Sequence, residues 1–337
     1  MKQIRVLVLF LSACWVSAVW GQQPATDDKN NWSEFHRTNM ERFNPNEHVL
    51  NIHNVGKLNL KWSYLAGGQV QSSPAMANGV VYIGSDDNNL YVLNASTGVK
   101  LWNYKTGGYV VSAPAVANGV VYFVSEDRNV YALDANTGAK LWSYTTRGIV
   151  QSSPAVAEGV VYVGSHDGNV YALDAKTGAK LWSYNTGYIV YSSPAVADGV
   201  VYVGSYDYKV YALNARTGHK MWSYATGGQV YSSPAVADGV VYVGSGDGNV
   251  YALDAKSGVL LWSYTIGNVN HPVQSSPAVA NGVVYVAPLY GNLYALNART
   301  GTELWSYGTS TDGPASPAVA NGVVYVGCGS DVCAFGK

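Results

Sequence analysis

Five aspartates hold the same place in successive copies of one short motif: Asp87, Asp127, Asp167, Asp207 and Asp247. Carboxylates are hard oxygen ligands for calcium and can act as general bases, and His166 beside Asp167 adds a group that moves protons near neutral pH. The spacing argues against both chemistries. One aspartate per copy puts the carboxylates on separate structural units, too dispersed to share an ion, and their surroundings do not follow a calcium-loop pattern. No serine or cysteine nucleophile can be assigned to His166, so the aspartates read as turn residues and the histidine as a solvated loop residue. The serine pairs Ser72-Ser73, Ser152-Ser153 and Ser192-Ser193 return in every copy in one form or another, which points to structure.

The cysteines offer redox chemistry instead. Residues 1–21 join a basic start (Lys2, Arg5) to an apolar run from Val6 to Trp20 and read as a signal peptide. Cleavage near Ala18 or Gly21 is favoured over lipidation at Cys14, where Leu11-Ser12-Ala13-Cys14 resembles a bacterial lipobox. Export leaves Cys328 and Cys333, and an oxidising compartment favours a local disulfide between them over two free thiols.

The elements that carry these residues come from a repeat. Trp62, Trp102, Trp142, Trp182, Trp222 and Trp262 stand at a constant interval of 40 residues, and Trp305 follows after a three-residue insertion. Each copy holds four short apolar runs bounded by turn residues; in the third these are 149–157, 160–165, 169–173 and 179–184. Such runs form a four-stranded antiparallel meander, and a period near this length is that of propeller blades. The second run (Val160, Val161, Tyr162, Val163) is apolar on both faces, as packing between neighbouring blades demands. Asn-Gly, Glu-Gly or Asp-Gly pairs recur between the first two runs, from Asn78-Gly79 to Asn321-Gly322. These are two-residue hairpin turns, and seven of them predict seven blades. The expected fold is all-β: a seven-bladed β-propeller of four-stranded antiparallel blades, closed by an N-terminal strand that pairs with the C-terminal three strands. Residues 58–66 are the expected closing strand, because they carry a fourth run with no three before it. Residues 22–57 form a lead-in and residues 58–337 the propeller.

The string Ala132-Leu133-Asp134-Ala135-Asn136-Thr137-Gly138-Ala139-Lys140-Leu141-Trp142 resembles the A-x-D-x-x-T-G-x-x-x-W tryptophan-docking motif of the pyrroloquinoline quinone (PQQ) repeat family, and six copies are present. The resemblance spans residues 58–337. Trp32, Phe35, Arg37, Arg42-Phe43-Asn44-Pro45 and Asn54-Val55-Gly56-Lys57-Leu58, ahead of Lys61-Trp62, are similar to the lead-in of quinoprotein dehydrogenases. It implies a structural docking role for Trp62, Trp102, Trp142, Trp182, Trp222, Trp262 and Trp305. The family includes eight-bladed PQQ-dependent alcohol dehydrogenases and the eight-bladed lipoprotein of the outer-membrane β-barrel assembly machine; seven blades here depart from both. In the dehydrogenases PQQ lies in the central funnel between a tryptophan floor and a ring of adjacent disulfide-bonded cysteines, with Ca²⁺ held by Glu and Asn and an Asp as base. This chain has no adjacent cysteine pair, no Cys-x-x-Cys-His for covalent haem, and no tryptophan free to be a floor. No cofactor or metal is therefore expected, with PQQ and Ca²⁺ as the alternative.

Function should lie where the copies differ. The loop entering the innermost strand and the hairpin between the second and third strands share one face of a propeller, and there the copies vary. Gln69, Tyr109 and Gln229 stand at one loop position, and Gln71, Gln151, Tyr191, Tyr231 and Gln274 at another. Glu126, His166 and Tyr206 stand at one hairpin position, and Arg128 and Tyr208 nearby. His271 falls in the insertion on the same face. Tyrosine and glutamine supply flat contact area and adaptable hydrogen bonds, the mix that recognition surfaces favour.

At 48% hydrophobic and 12% charged residues the chain of 337 residues is globular, and a net charge of −1 without a basic cluster beyond the N-terminus excludes nucleic acid as a partner. The expectation is an exported, non-catalytic propeller acting as a binding or assembly scaffold. It would bind a protein, glycan or small ligand on the variable face and reside in the periplasm, outside the cell, or at the outer membrane through lipidated Cys14. The alternative is a PQQ-dependent dehydrogenase-like protein.

Overall fold

Turn chemistry sets the architecture. In a computed structural model, which describes residues 43–44, 60–309, 316–320, 322–328 and 331–336, Asn78 and Gly79 take φ of 51° and 75°. Two successive left-handed residues make the hairpin whose twist matches its flanking strands. Glu158 and Asp198 hold the same conformation at φ of 50° and 51°, so the glycine that follows each of them, rather than asparagine, is the constant part.

Seven sheets result: blade 1 (75–105), blade 2 (115–145), blade 3 (155–185), blade 4 (195–225), blade 5 (235–265), blade 6 (278–308) and blade 7 (318–335). The first six are four-stranded meanders in which each strand pairs antiparallel with the next. In blade 3, Val160–Gly164 and Asn169–Asp174 are buried on both faces, whereas Lys180–Asn185 at the rim alternates between buried and exposed. That difference places the core at the seams between blades. The seam of blades 3 and 4, for example, gathers Val170, Trp182, Val190, Val201, Val203 and Leu213.

Indoles lock the seams from blade 2 to blade 6. Trp182 donates its Nε1–H to the carbonyl of Ala215 in the turn of the next blade (2.9 Å), and Trp62, Trp142, Trp222 and Trp262 do the same to Ala95, Ala175, Ala255 and Ala298. The turn's glycine lies under the ring: a Cβ on Gly218 would stand 2.6 Å from the Trp182 indole. Tyrosines of the second strand reach the same carbonyls, Tyr162 to Ala215 and Tyr202 to Ala255. Trp102 also docks, over Gly138, although its buried Nε1 has no hydrogen-bond partner. Trp305 packs on Tyr307 and Phe335 and stays 39% exposed.

The closing strand is also corrected. Residues 60–66 form no strand, and residues 58–59 lie outside the described residues. Blade 7 instead takes its fourth strand from Phe43–Asn44, which runs parallel to Ala318–Ala320 at the inner edge, with Phe43 opposite Val319. Trp62 still docks, but onto blade 1 alone. Among the described residues no apolar cluster joins blade 7 to blade 1, and Val81 and Ile83 are only partly buried where their counterparts Val121 and Phe123 are fully buried.

Near the axis the recurring serines tie blade to blade. The backbone N–H groups of Ala113, Ser153, Ser193, Ser233 and Ser276 donate to Oγ of Ser153, Ser193, Ser233, Ser276 and Ser316 in turn, at 2.9–3.1 Å. Cys328 and Cys333 form a disulfide within the last hairpin of blade 7. The leader with Cys14, and the lead-in apart from Phe43 and Asn44, lie outside the described residues.

Candidate binding face

Entry loops and hairpins meet on one face because backbone bonds join them. Asp86, Glu126, His166, Tyr206 and Gly246 each donate an N–H to the carbonyl of Gln69, Tyr109, Ile149, Ile189 and Gln229 respectively. The recurring aspartates clamp this pairing. Asp167 accepts from the backbone N–H of Arg147 in the loop, from Asn169 in its own hairpin, and from the Tyr171 hydroxyl. Burial pushes the Asp167 carboxyl up, but hydrogen bonds from Tyr171, Asn169 and Arg147 outweigh it and hold the pKa below the ordinary value.

A group with a depressed folded pKa stabilises the fold above its unfolded pKa and loses that contribution as the pH falls. Asp167→Ala is therefore expected to cost about 1.5–3 kcal/mol near neutral pH, the range for hydrogen bonds to a charged group. The difference from the parent should shrink once the pH falls below about 4. Urea midpoints at the two pH values check this; a cost that does not change with pH contradicts the clamp.

Above the clamps, the structure gathers part of the variable set around the axis. Gln71, Gln151, Tyr191, Tyr231 and Gln274 line an axial channel of about 310 Å³ with Val111 and the serines. Gln71 donates to Asp86 (2.7 Å), Gln151 to Glu126 (2.5 Å), and the Tyr231 hydroxyl to the Gln229 side chain. Tyr206 bridges Tyr191 and Tyr231, with ring centroids 6.3 and 4.4 Å away, and His166 lies 5.9 Å from Tyr191. Burial lowers the His166 pKa against the opposing pull of Glu126 and Asp167, so the ring is neutral at physiological pH, and its buried Nε2 has no partner. Tyr206 is pushed up by burial and by Tyr231 and Tyr191. Gln69, Tyr109, Arg128 and His271 stand exposed outside the channel lining. His271 faces Tyr290 at 6.4 Å.

A second concavity, of about 440 Å³, opens beside the channel between blades 4 and 5. Thr186, Gly187, Tyr188, Asp207 and Lys209 line it together with Tyr206, Tyr208 and Gln229. Sequence comparison of the copies passed over Tyr188, Asp207 and Lys209 as binding residues. The signal was present: Tyr188 stands where the other entry loops carry Gly68, Gly108, Gly148 and Gly228.

PQQ carries three carboxylates, and among the described residues the channel lining holds no Lys or Arg to meet them and no carboxylate to ligate a cation. Among the described residues no group of three His, Cys, Asp or Glu side chains is placed to hold a metal.

Comparison with known proteins agrees with the fold. BamB from Moraxella catarrhalis superposes with a TM-score of 0.72 at 22% identity, covering 82% of this chain and 88% of that one. A europium-containing methanol dehydrogenase matches at 0.75 and 16% identity, covering 89% and 82%. Quinohemoprotein alcohol dehydrogenase ADHIIG from Pseudomonas putida matches at 0.78 and 18%, covering 92% and 71%. No curated protein sequence matches. A family profile described as outer membrane protein assembly factor BamB matches residues 19–188 and 189–335, so the chain belongs to that PQQ-repeat propeller family.

Proposed function

We propose that the protein is a non-catalytic scaffold of the cell envelope that holds a protein partner on the face bearing the variable loops. Membership of the assembly-factor family supports an assembly role in the periplasm or at the outer membrane. The observation that carries the choice of face is its asymmetry. The turns at 78–79, 118–119, 158–159 and 198–199 on the other side are near copies, whereas the loops and hairpins here converge tyrosines, glutamines and Glu126 on one axis. A large, flat, aromatic and amide-rich surface suits protein recognition. The dehydrogenase neighbours share the fold alone, and fold does not fix function.

Photo-cross-linking tests the proposal. A benzoylphenylalanine at Tyr109, on the variable face, is expected to form a discrete adduct with an envelope protein in cells, while the same group at Glu158, on the opposite face, gives none. Equal adducts from both faces contradict the assigned surface. Dye reduction with a short alcohol after loading with PQQ and Ca²⁺ contradicts the non-catalytic role.

A further inference from the structure

Blade 4 departs from its neighbours in the loop that enters it. In blades 1, 2, 3 and 5 the entry loop passes so close to the hairpin that a Cβ on Gly68, Gly108, Gly148 or Gly228 would lie 2.5–2.7 Å from the backbone nitrogen of the clamping aspartate. Blade 4 carries Tyr188 there, and its loop is rebuilt to admit it. Gly187 takes φ of 102°, a conformation that Gly67, Gly107 and Gly227 do not adopt. The loop N–H to Asp bond of the other blades is absent; Asp207 receives the Lys209 ammonium at 2.9 Å instead, and Tyr211 adds a bond to the Thr186 carbonyl. Lys209 replaces the asparagine of the other copies, Asn89, Asn129, Asn169 and Asn249.

Tyr208 stands at the same place with φ of 71°, where blades 3 and 5 have Gly168 and Gly248 and blades 1 and 2 hold Asn88 and Arg128 at 72° and 75°. The result is the cleft between blades 4 and 5. Tyr188 is 54% exposed and its ring lies 6.5 Å from that of Tyr206, nearly parallel at 24°. Gln229 offers its amide donor at the cleft wall, its Oε1 accepting from Tyr231.

We propose that this cleft binds a neutral carbohydrate, one hexopyranose unit stacking its C–H face on Tyr188 and Tyr206 while its hydroxyls meet Gln229 and Lys209. The proposal rests on the reading of this face as the binding face and names a ligand class for one part of it. Two features select a sugar. Tyrosine rings present an electron-rich face to polarised C–H groups. Asp207 and Lys209 neutralise each other, so the site demands no net charge on the ligand, while the Lys209 ammonium, on a side chain 43% exposed, still offers donors to hydroxyls. The cavity volume is that of a small-ligand site.

Saturation-transfer NMR and calorimetry on the full mature chain test this with maltose, cellobiose and diacetylchitobiose. At least one is expected to bind in the millimolar range. Tyr188→Gly, which restores the residue of the other copies and so leaves folding intact, should weaken that binding about tenfold or more. Glu158→Asn, which places on the opposite face of blade 3 the turn residue of blades 1 and 2, should leave it unchanged. Failure of all three sugars to bind, or binding that Tyr188→Gly does not weaken, overturns the assignment. If no sugar binds yet the Tyr109 cross-link persists and Tyr188→Gly abolishes it, the cleft is a peptide site: the carbohydrate proposal falls and the scaffold reading stands.

Discussion

Trp182→Ala is expected to lower the unfolding free energy by about 3–5 kcal/mol, the usual cost of deleting a buried large aromatic. The side chain is 8% exposed, packs within the seam of blades 3 and 4 and bonds the Ala215 carbonyl. Its loss empties the seam directly over Gly218, a residue with no side chain to refill the space. Trp305→Ala supplies the internal contrast. That indole is 39% exposed and packs on Tyr307 and Phe335, so its removal should cost about 1 kcal/mol, as for a typical substitution. Equilibrium urea unfolding followed by circular dichroism measures both. Equal losses would mean that the seams are not held by docking, and the assignment of the indoles would fail.

The same pair of residues shows how far the sequence could be read. The interval between tryptophans reveals the number of blades, because a copied unit must bury its faces against its own neighbours. It does not reveal which tryptophan stays partly exposed. Trp305 is 39% exposed against Tyr307 and Phe335, whereas Trp182 is 8% exposed against Gly218. Ring closure differs from the expected pairing for a related reason. Residues 58–66 carry the full pattern of an outer strand, yet in the structure Trp62 uses that pattern only to reach Ala95 in blade 1. The pairing with blade 7 falls to Phe43–Asn44, a strand of two residues, too short to show alternation.

On the variable face the sequence identified positions, not their meeting. Tyr206 belongs to a hairpin of blade 4 and Tyr231 to the entry loop of blade 5, and only the ring geometry brings their centroids to 4.4 Å. The cleft beside them was legible in principle. A tyrosine at a position that is glycine in four other copies cannot fit the standard loop, and the crowding seen at Gly148 gives the reason. That reason is steric and three-dimensional, so the letter change alone could be taken for drift.

High pH should unfold the protein cooperatively. Tyr82, Tyr122, Tyr162, Tyr202 and Tyr242 each donate a buried hydroxyl across a seam to a turn carbonyl. Burial pushes Tyr162, Tyr202 and Tyr242 up to about 12, with smaller contributions from Glu158 for Tyr162, Asp198 and Asp254 for Tyr202, and Asp238 for Tyr242. The unfolded chain releases these protons near pH 10. Because the folded state holds them more tightly, their contribution is complete below about pH 10 and is lost as the pH rises toward 12. Absorbance of the phenolate band should therefore show a late ionisation step coincident with loss of the β-sheet signal in circular dichroism. Tyr202→Phe separates the two parts of the effect. At neutral pH it removes one hydrogen bond, worth about 0.5–1.5 kcal/mol, and leaves the Ala255 carbonyl still satisfied by Trp222. In the alkaline range it removes a group whose ionisation drives unfolding, so its disadvantage should narrow and then reverse. Complete ionisation of the tyrosines near pH 10 with an intact sheet signal would mean that these hydroxyls are not sealed into the seams.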